Sequence, residues 1–148
     1  MRASLSSPVI VSEILIFDTS VLIDQLRTGR HQQKIQSIAG FVRTSSVVLA
    51  ELWRGASCPA EQRFVRALEG NHPVLTPTKK NWIEPGQILA KVGSNMGFAA
   101  EKLRDLHFDV LIALTARSHG ARVITSNSTD FTLIQRYRTF ELEVWSTQ

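Results

Sequence analysis

Short apolar runs and amphipathic segments, separated by polar turns, divide the chain. Residues 13–17 form a nearly all-apolar run, which is typical of a parallel strand covered on both faces. The pattern predicts four further strands, at residues 41–45, 73–76, 122–125 and 140–145. The strand at residues 73–76 is weak, and the last strand shows only partial alternation of apolar and polar side chains.

The segments between the strands place apolar residues at helical spacing. Thr19 or Ser20 is expected to cap the first helix, which ends near Gly29. The other predicted helices are residues 32–39, a helix capped by Ser45 or Ser46 that ends near Gly55, and residues 59–68, 80–92, 98–106, 109–118 and 129–137. Pro85 should break or kink the helix that contains it. The helix at residues 109–118 is apolar around most of its circumference, which indicates a buried helix.

Strands that alternate with helices over short turns argue for an α/β fold, with a mainly parallel central sheet and helices on both faces. A length of 148 residues fits a single domain. We expect residues 13–148 to form this domain. Residues 1–12 are Ser-rich, lack the long apolar stretch of a secretory signal, and predict a loose leader. The chain has no run of about 18 apolar residues, which argues against a membrane span.

Four acidic residues sit where an apolar run meets a turn or a helix start: Asp18, Glu51, Asp109 and Asp130. Parallel sheets bind ligands beyond the carboxyl ends of their strands. Three of the four residues belong to that edge by topology. The fourth, Asp109, is expected to open the buried helix, with the start of this helix facing the same edge.

Several carboxylates within a few ångströms of one another cannot all ionise without a compensating charge. A ligand set made only of oxygen atoms suits Mg²⁺ or Mn²⁺ rather than zinc. We therefore expect folding to gather the four acids into one cage for divalent cations. Asp18 and Asp109 would be the central ligands, and Glu51 and Asp130 would complete the shell directly or through water.

Neutral oxygens near these acids could orient water, ligands or a phosphate, and they belong to Ser20, Thr125 and Asn127. Every candidate also has a plainer interpretation. Asp18, Asp109 and Asp130 could each be a turn or helix-cap residue, stabilised by the helix dipole. Glu51 could form an ion pair with Arg54, three residues further along its helix.

The charge balance favours a polyanionic partner. The formal net charge is +4, from 17 basic and 13 acidic residues. Setting the four candidate ligands aside leaves 17 basic residues against 9 acidic ones, or +8. An acidic pocket in a basic body suits a nucleic acid held by its phosphates over a metal site. The single Cys58 cannot form an internal disulfide, so we expect a reducing compartment, the cytoplasm.

Four segments, in this order, resemble the motifs of the PIN-domain nucleases, and most closely the VapC-like toxins of type II toxin–antitoxin pairs. The segments are residues 17–23, 49–55, 108–116 and 125–131, and they supply Asp18, Glu51, Asp109 and Asp130 in turn. The resemblance runs from about residue 15 to residue 145. The fourth motif is the least specific, because family members carry an acid at the position of either Asn127 or Asp130. Asp105, one helical turn before Asp109, is a weaker candidate for the third ligand.

The resemblance implies a three-layer α/β/α fold, a homodimer, dependence on Mg²⁺ or Mn²⁺, and endoribonuclease activity in which a metal-activated water hydrolyses RNA phosphodiester bonds. It also implies inhibition by a cognate antitoxin protein that inserts a segment near the acidic site. One alternative is a housekeeping PIN nuclease in RNA processing. A second is a catalytically inactive module that binds RNA or a protein. A phosphoaspartyl domain is disfavoured, because Asp18 lacks the second Asp two residues later that such hydrolases carry.

Overall fold

The structure is a computed structural model that describes residues 13–147, so the predicted leader at residues 1–12 lies outside the described residues. In the described part, five strands alternate with seven helices. The strands are β1 (Ile14–Phe17), β2 (Phe41–Ser45), β3 (Val74–Leu75), β4 (Arg122–Thr125) and β5 (Glu141–Val144). The helices are α1 (Thr19–Thr28), α2 (Gln32–Ser37), α3 (Ser46–Gly55), α4 (Pro59–Asn71), α5 (Lys79–Met96), α6 (Ala100–Ser118) and α7 (Ser128–Gln135).

The strands form one sheet in the order β3-β2-β1-β4-β5, and every neighbouring pair is parallel. The predicted α/β fold with a mainly parallel sheet is confirmed, and the described sheet is parallel throughout. β1 lies at the centre, where Leu15 aligns with Val42 of β2 and with Arg122 of β4. The chain reverses its winding direction at β1, which is where sheets of this kind place their ligand sites.

The core is built on the central strands and on one helix. Leu15 and Ile16 of β1 and Val123 and Ile124 of β4 are fully buried, which explains the nearly all-apolar run at β1. The second half of α6 is buried all round, as the sequence predicted. None of the described helices combines the length and apolar character needed to cross a membrane.

One predicted helix boundary is wrong in a way that affects the site. Residues 98–106 and 109–118 were expected to form separate helices, but α6 is one continuous helix of 19 residues. Asp109 therefore lies inside a helix and does not open one. Helix α5 runs through Pro85 without ending there. The buried face formed by Ile88, Leu89 and Val92 gives α5 a packing gain that offsets the hydrogen bond a helix-interior proline cannot make.

The start of β2 passes very close to the residue before β1. The backbone nitrogen of Phe41 donates a hydrogen bond to the carbonyl oxygen of Glu13, over 2.6 Å. Gly40 has φ of 124°, and a Cβ atom there would lie 2.4 Å from the same oxygen. Only glycine fits this position. Gly40 therefore allows the start of β2 to lie this close to Glu13, the residue before β1.

Candidate active site

Asp18 lies at the carboxyl end of β1, next to β4. Its backbone nitrogen donates to the carbonyl oxygen of Ile124 over 2.8 Å, which extends the ladder between β1 and β4 by one residue. Asp18 has extended backbone angles and is the N-cap of α1, because its side chain accepts a hydrogen bond from the backbone nitrogen of Ser20. The prediction that Thr19 or Ser20 caps this helix is therefore wrong. Although it is a carboxylate, Asp18 is only 3% exposed.

Two of the predicted supporting residues hold one oxygen of Asp18. The hydroxyl groups of Ser20 and Thr125 each donate to Oδ2 over 2.8 Å, and these hydroxyls are 3.3 Å apart. All three hydrogen bonds to the side chain of Asp18 fall on Oδ2. None of the described residues donates to Oδ1, so this oxygen keeps its lone pairs available to a ligand.

Glu51 is half-buried in α3, and its carboxylate accepts a hydrogen bond from a residue that was not among the predicted site residues. The hydroxyl group of Thr19 donates to Oε1 of Glu51 over 2.7 Å. Burial raises the pKa of Glu51, the Thr19 hydrogen bond opposes this shift, and the nearby charge of Asp18 adds to it. Arg54 lowers the pKa through its charge but forms no ion pair with Glu51 in the described part of the chain, so the plainer ion-pair interpretation is not supported.

Asp109 is the most perturbed acid of the site. Burial, followed by the charges of Asp18, Glu51 and Asp130, raises the pKa of Asp109 from 3.8 to about 8. All three other candidate acids thus act electrostatically on this one carboxyl group. Among residues 13–147, no group donates a hydrogen bond to it. Asp105, the weaker candidate one turn earlier, is exposed.

Asp130 lies in the first turn of α7, and its partner Asn127 is the N-cap of that helix. The Asn127 side chain accepts from the backbone nitrogen of Asp130 over 3.3 Å and donates to Oδ2 of Asp130 over 3.1 Å. The backbone nitrogen of Asn127 donates in turn to the hydroxyl oxygen of Thr125 over 2.9 Å. Asn127 therefore links Asp130 to the hydroxyl group that holds Asp18, and the cap role considered for Asp130 belongs to Asn127.

Lys102 is the second residue that the sequence analysis missed. Its ammonium group lies 3.1 Å from Oδ1 of Asp130, and its charge lowers the pKa of Asp109. Lys102 precedes Asp109 by seven residues, or about two turns, on the same continuous helix. The predicted division of α6 into two helices concealed that Lys102 and Asp109 are two turns apart on one helix. With α6 intact, the spacing puts Lys102 and Asp109 on one face.

The four acids do not form the closed metal-binding cage that was predicted from the sequence. Within residues 13–147, no three His, Cys, Asp or Glu side chains are grouped closely enough to hold a metal ion together. The physical reason is that the acids repel one another, while separate internal donors hold Asp18, Glu51 and Asp130. The donor set nevertheless fits a hard divalent cation. The available oxygens, those without a donor in the described chain, are Oδ1 of Asp18, Oε2 of Glu51 and both carboxyl oxygens of Asp109.

Comparison with solved structures finds similar folds in chains of VapBC complexes. A chain in the crystal structure of VapBC2 from Rickettsia felis, bound to a DNA fragment from their promoter, superposes with a TM-score of 0.68 at 19% identity, covering 90% of this chain and 99% of that one. A chain in the DNA-bound VapBC structure from Salmonella typhimurium gives 0.62 at 25% identity, covering 88% and 97%. A chain in VapBC-5 from Mycobacterium tuberculosis gives 0.61 at 23% identity, covering 90% and 99%.

Comparisons of the sequence with individual proteins and with protein families give different results. No individual curated protein sequence matches the chain. The PIN domain family, in contrast, matches residues 15–136. This range begins in β1 and ends just after α7, so it contains all four candidate acids and the strands and helices that position them. The chain belongs to the PIN domain family.

Proposed function

We propose that this protein is a metal-dependent endoribonuclease that acts as the toxin of a toxin–antitoxin pair. Proteins of the PIN domain family are nucleases. The observation that carries the proposal is the electrostatic coupling of Asp109 to Asp18, Glu51 and Asp130 at the carboxyl edge of the sheet. Coupled carboxylates with a strongly perturbed pKa are typical of sites that bind cations or move protons.

Mg²⁺ or Mn²⁺ is the proposed cofactor, held by Asp18, Glu51 and Asp109, with Asp130 beside them. Such an ion supplies a Lewis acid, which activates water and stabilises the negative charge that develops on a phosphoryl group. Asp109 holds a proton at neutral pH while no cation is present, because its pKa is raised to about 8. Cation binding must displace this proton, so affinity should increase with pH up to about that value.

The hydroxyl groups near Asp18 have a positioning role in this proposal. Ser20 and Thr125 fix Oδ2 of Asp18 and so orient the carboxylate, whose Oδ1 stays available. The backbone nitrogen of Ser126 donates to the Ser20 hydroxyl over 3.1 Å, which holds that hydroxyl in place as well. Side chains locked in this way keep a ligand set pre-organised.

RNA is the proposed substrate, and two protein partners are proposed with it. The net charge of +8 outside the four acids supports binding of a polyanion through its phosphates. The similar structures are described as VapBC complexes, one of them as a member of a family of toxin–antitoxin systems. We extend two features to this chain as proposals: inhibition by a cognate antitoxin, and a homodimeric state.

Cleavage of RNA by purified protein tests the proposal. We expect cleavage with Mg²⁺ or Mn²⁺, none with EDTA, and a loss of at least about a hundredfold in Asp18→Asn and Asp109→Asn, because each change removes charge from a central ligand. Glu51→Gln should be less severe, and Asp130→Asn the mildest. The matched control is Asp105→Asn, which removes an exposed carboxyl from the same helix as Asp109 and should cleave like the wild type.

Two results would contradict parts of this proposal. Cleavage that survives both EDTA and Asp18→Asn would remove the metal-dependent site. Failure to bind Mn²⁺ at millimolar concentration would instead favour the inactive binding module. The toxin role needs a cellular test: induced expression should arrest growth, and co-expression of the protein encoded by the neighbouring reading frame should restore it. Growth that continues despite active nuclease would favour the housekeeping role.

A further inference from the structure

Lys102 is a cation of the protein itself at the edge of the acidic site. Its ammonium group lies 3.1 Å from Oδ1 of Asp130 and also sits over the ring of Phe98, 5.9 Å from the centroid. The side chain of Lys102 is 41% exposed, and that of Asp130 is 20% exposed. Its charge acts on Asp109 as well as on Asp130.

The four acids differ in how many of their oxygens are already occupied. Both oxygens of Asp130 are engaged, Oδ1 by Lys102 and Oδ2 by the side-chain amide of Asn127. By contrast, donors in the described chain leave one oxygen available on Asp18, one on Glu51 and two on Asp109. Only Asp130 would have to break an ion pair before it could bind a cation directly.

We propose that Lys102 limits the site to one tightly bound divalent cation, by holding Asp130 away from direct ligation. The proposal rests on the function proposed above. Lys102 takes the place that a second cation would take, since it supplies a positive charge to Asp130 and to the rest of the cluster. Asp130 then acts on the bound ion through the electric field and not through a bond.

Substitution of Lys102 should therefore change cation binding in a specific way. Lys102→Met removes a like charge and releases Oδ1 of Asp130, so Mn²⁺ should bind about tenfold more tightly. Most of this gain should disappear when Asp130 can no longer ligate. Asp130→Asn should weaken Mn²⁺ binding by at most about threefold in the wild type, but by tenfold or more in Lys102→Met. A larger loss of Mn²⁺ affinity from Asp130→Asn in Lys102→Met than in the wild type indicates direct ligation. A purely through-space effect of Asp130 would give the same loss in both proteins.

The experiment is a double-mutant cycle of Mn²⁺ binding, measured by calorimetry and by the paramagnetic resonance signal of free Mn²⁺. It uses the full chain as wild type, Lys102→Met, Asp130→Asn and the double variant. Lys102→Arg keeps the charge and should bind Mn²⁺ within about twofold of the wild type. Arg104→Met is the matched control, because it removes one positive charge from an exposed position of the same helix, two residues away. It should also stay within about twofold.

The outcomes separate this inference from the proposed function. Wild type that binds no Mn²⁺ overturns both. Wild type that binds Mn²⁺, with equal costs of Asp130→Asn in the two backgrounds, overturns only the role of Lys102, as would weaker binding in Lys102→Met. Thermal melting of each variant shows whether it is folded at the assay temperature. If Lys102→Met is not, Lys102→Gln replaces it with the same expected result.

Discussion

Asp109→Asn should stabilise the cation-free protein, and the gain should depend on pH in a predictable direction. The pKa of Asp109 is raised from 3.8 to about 8 in the folded chain. Below 3.8 the carboxyl is protonated in both folded and unfolded chains and affects stability little. As pH rises through this window, the unfolded chain releases the proton while the folded chain keeps it, so wild-type stability falls until about pH 8. Asparagine cannot ionise and does not incur this loss.

The size of the effect follows from the same window. Each pH unit corresponds to about 1.4 kcal/mol, which sets a ceiling of roughly 6 kcal/mol above pH 8. Asp109 is half-buried, so its ionised form can turn toward water and recover part of this energy. We expect Asp109→Asn to be about 2–4 kcal/mol more stable than the wild type at pH 8, and nearly equal to it at pH 4.5.

Urea unfolding in EDTA, from pH 4.5 to pH 9, measures this difference. The control is Asp105→Asn, on an exposed position of the same helix, whose stability should follow the wild type at every pH. Mn²⁺ at a hundred times its dissociation constant should narrow the difference at pH 8, since only the wild type gains about 2.7 kcal/mol from the bound ligand. A stability difference that is constant across the pH range would refute the reasoning, because it would assign the effect to packing and not to charge.

Two further substitutions test the surroundings of the site. Thr125→Val removes a buried donor to Oδ2 of Asp18 and should lower the free energy of unfolding by about 1–3 kcal/mol in EDTA, measured by urea unfolding; an unchanged value would mean that this hydrogen bond does not hold the carboxylate. Gly40→Ala forces a Cβ atom against the carbonyl oxygen of Glu13, at a φ that suits only glycine, and should cost more than about 2 kcal/mol. A thermal melting temperature equal to that of the wild type would contradict this second prediction.

The sheet could be predicted from the sequence because its central strands carry a clear pattern. β2 was predicted with its observed bounds, and β1 to within one residue, since both are short runs closed by turn residues. The helices were harder to delimit. Between Leu106 and Val110, the polar residues His107 and Asp109 interrupt the apolar pattern without breaking the helix. Apolar periodicity indicates which face of a helix is buried. When the buried face changes along one continuous helix, the change can be mistaken for the end of that helix.

The four candidate acids could be selected from the sequence because their charge is out of place in an apolar context. Their partners could not be found in this way. Thr19 is ordinary in the first turn of a helix, and its hydrogen bond to Glu51 joins residues 32 positions apart. Lys102 is ordinary on a helix surface, and its ion pair with Asp130 spans 28 positions. Such contacts depend on how α1, α3, α6 and α7 pack together, which single-residue patterns do not encode.

Of the four acids, Asp109 distinguishes a functional site from a set of helix caps. Asp18 caps α1 and accepts three hydrogen bonds, and Asp130 is held by Lys102 and Asn127, so both have sufficient structural reasons to be where they are. Asp109 lies inside a helix, half-buried among like charges, with no donor in the described chain. A penalty of several kcal/mol would be a large fraction of the 5–15 kcal/mol that stabilises a typical domain. A residue that only served the fold would gain by being neutral. The position of Asp109 is explained if the protein works with a cation bound there, because the cation turns the same repulsion into binding energy.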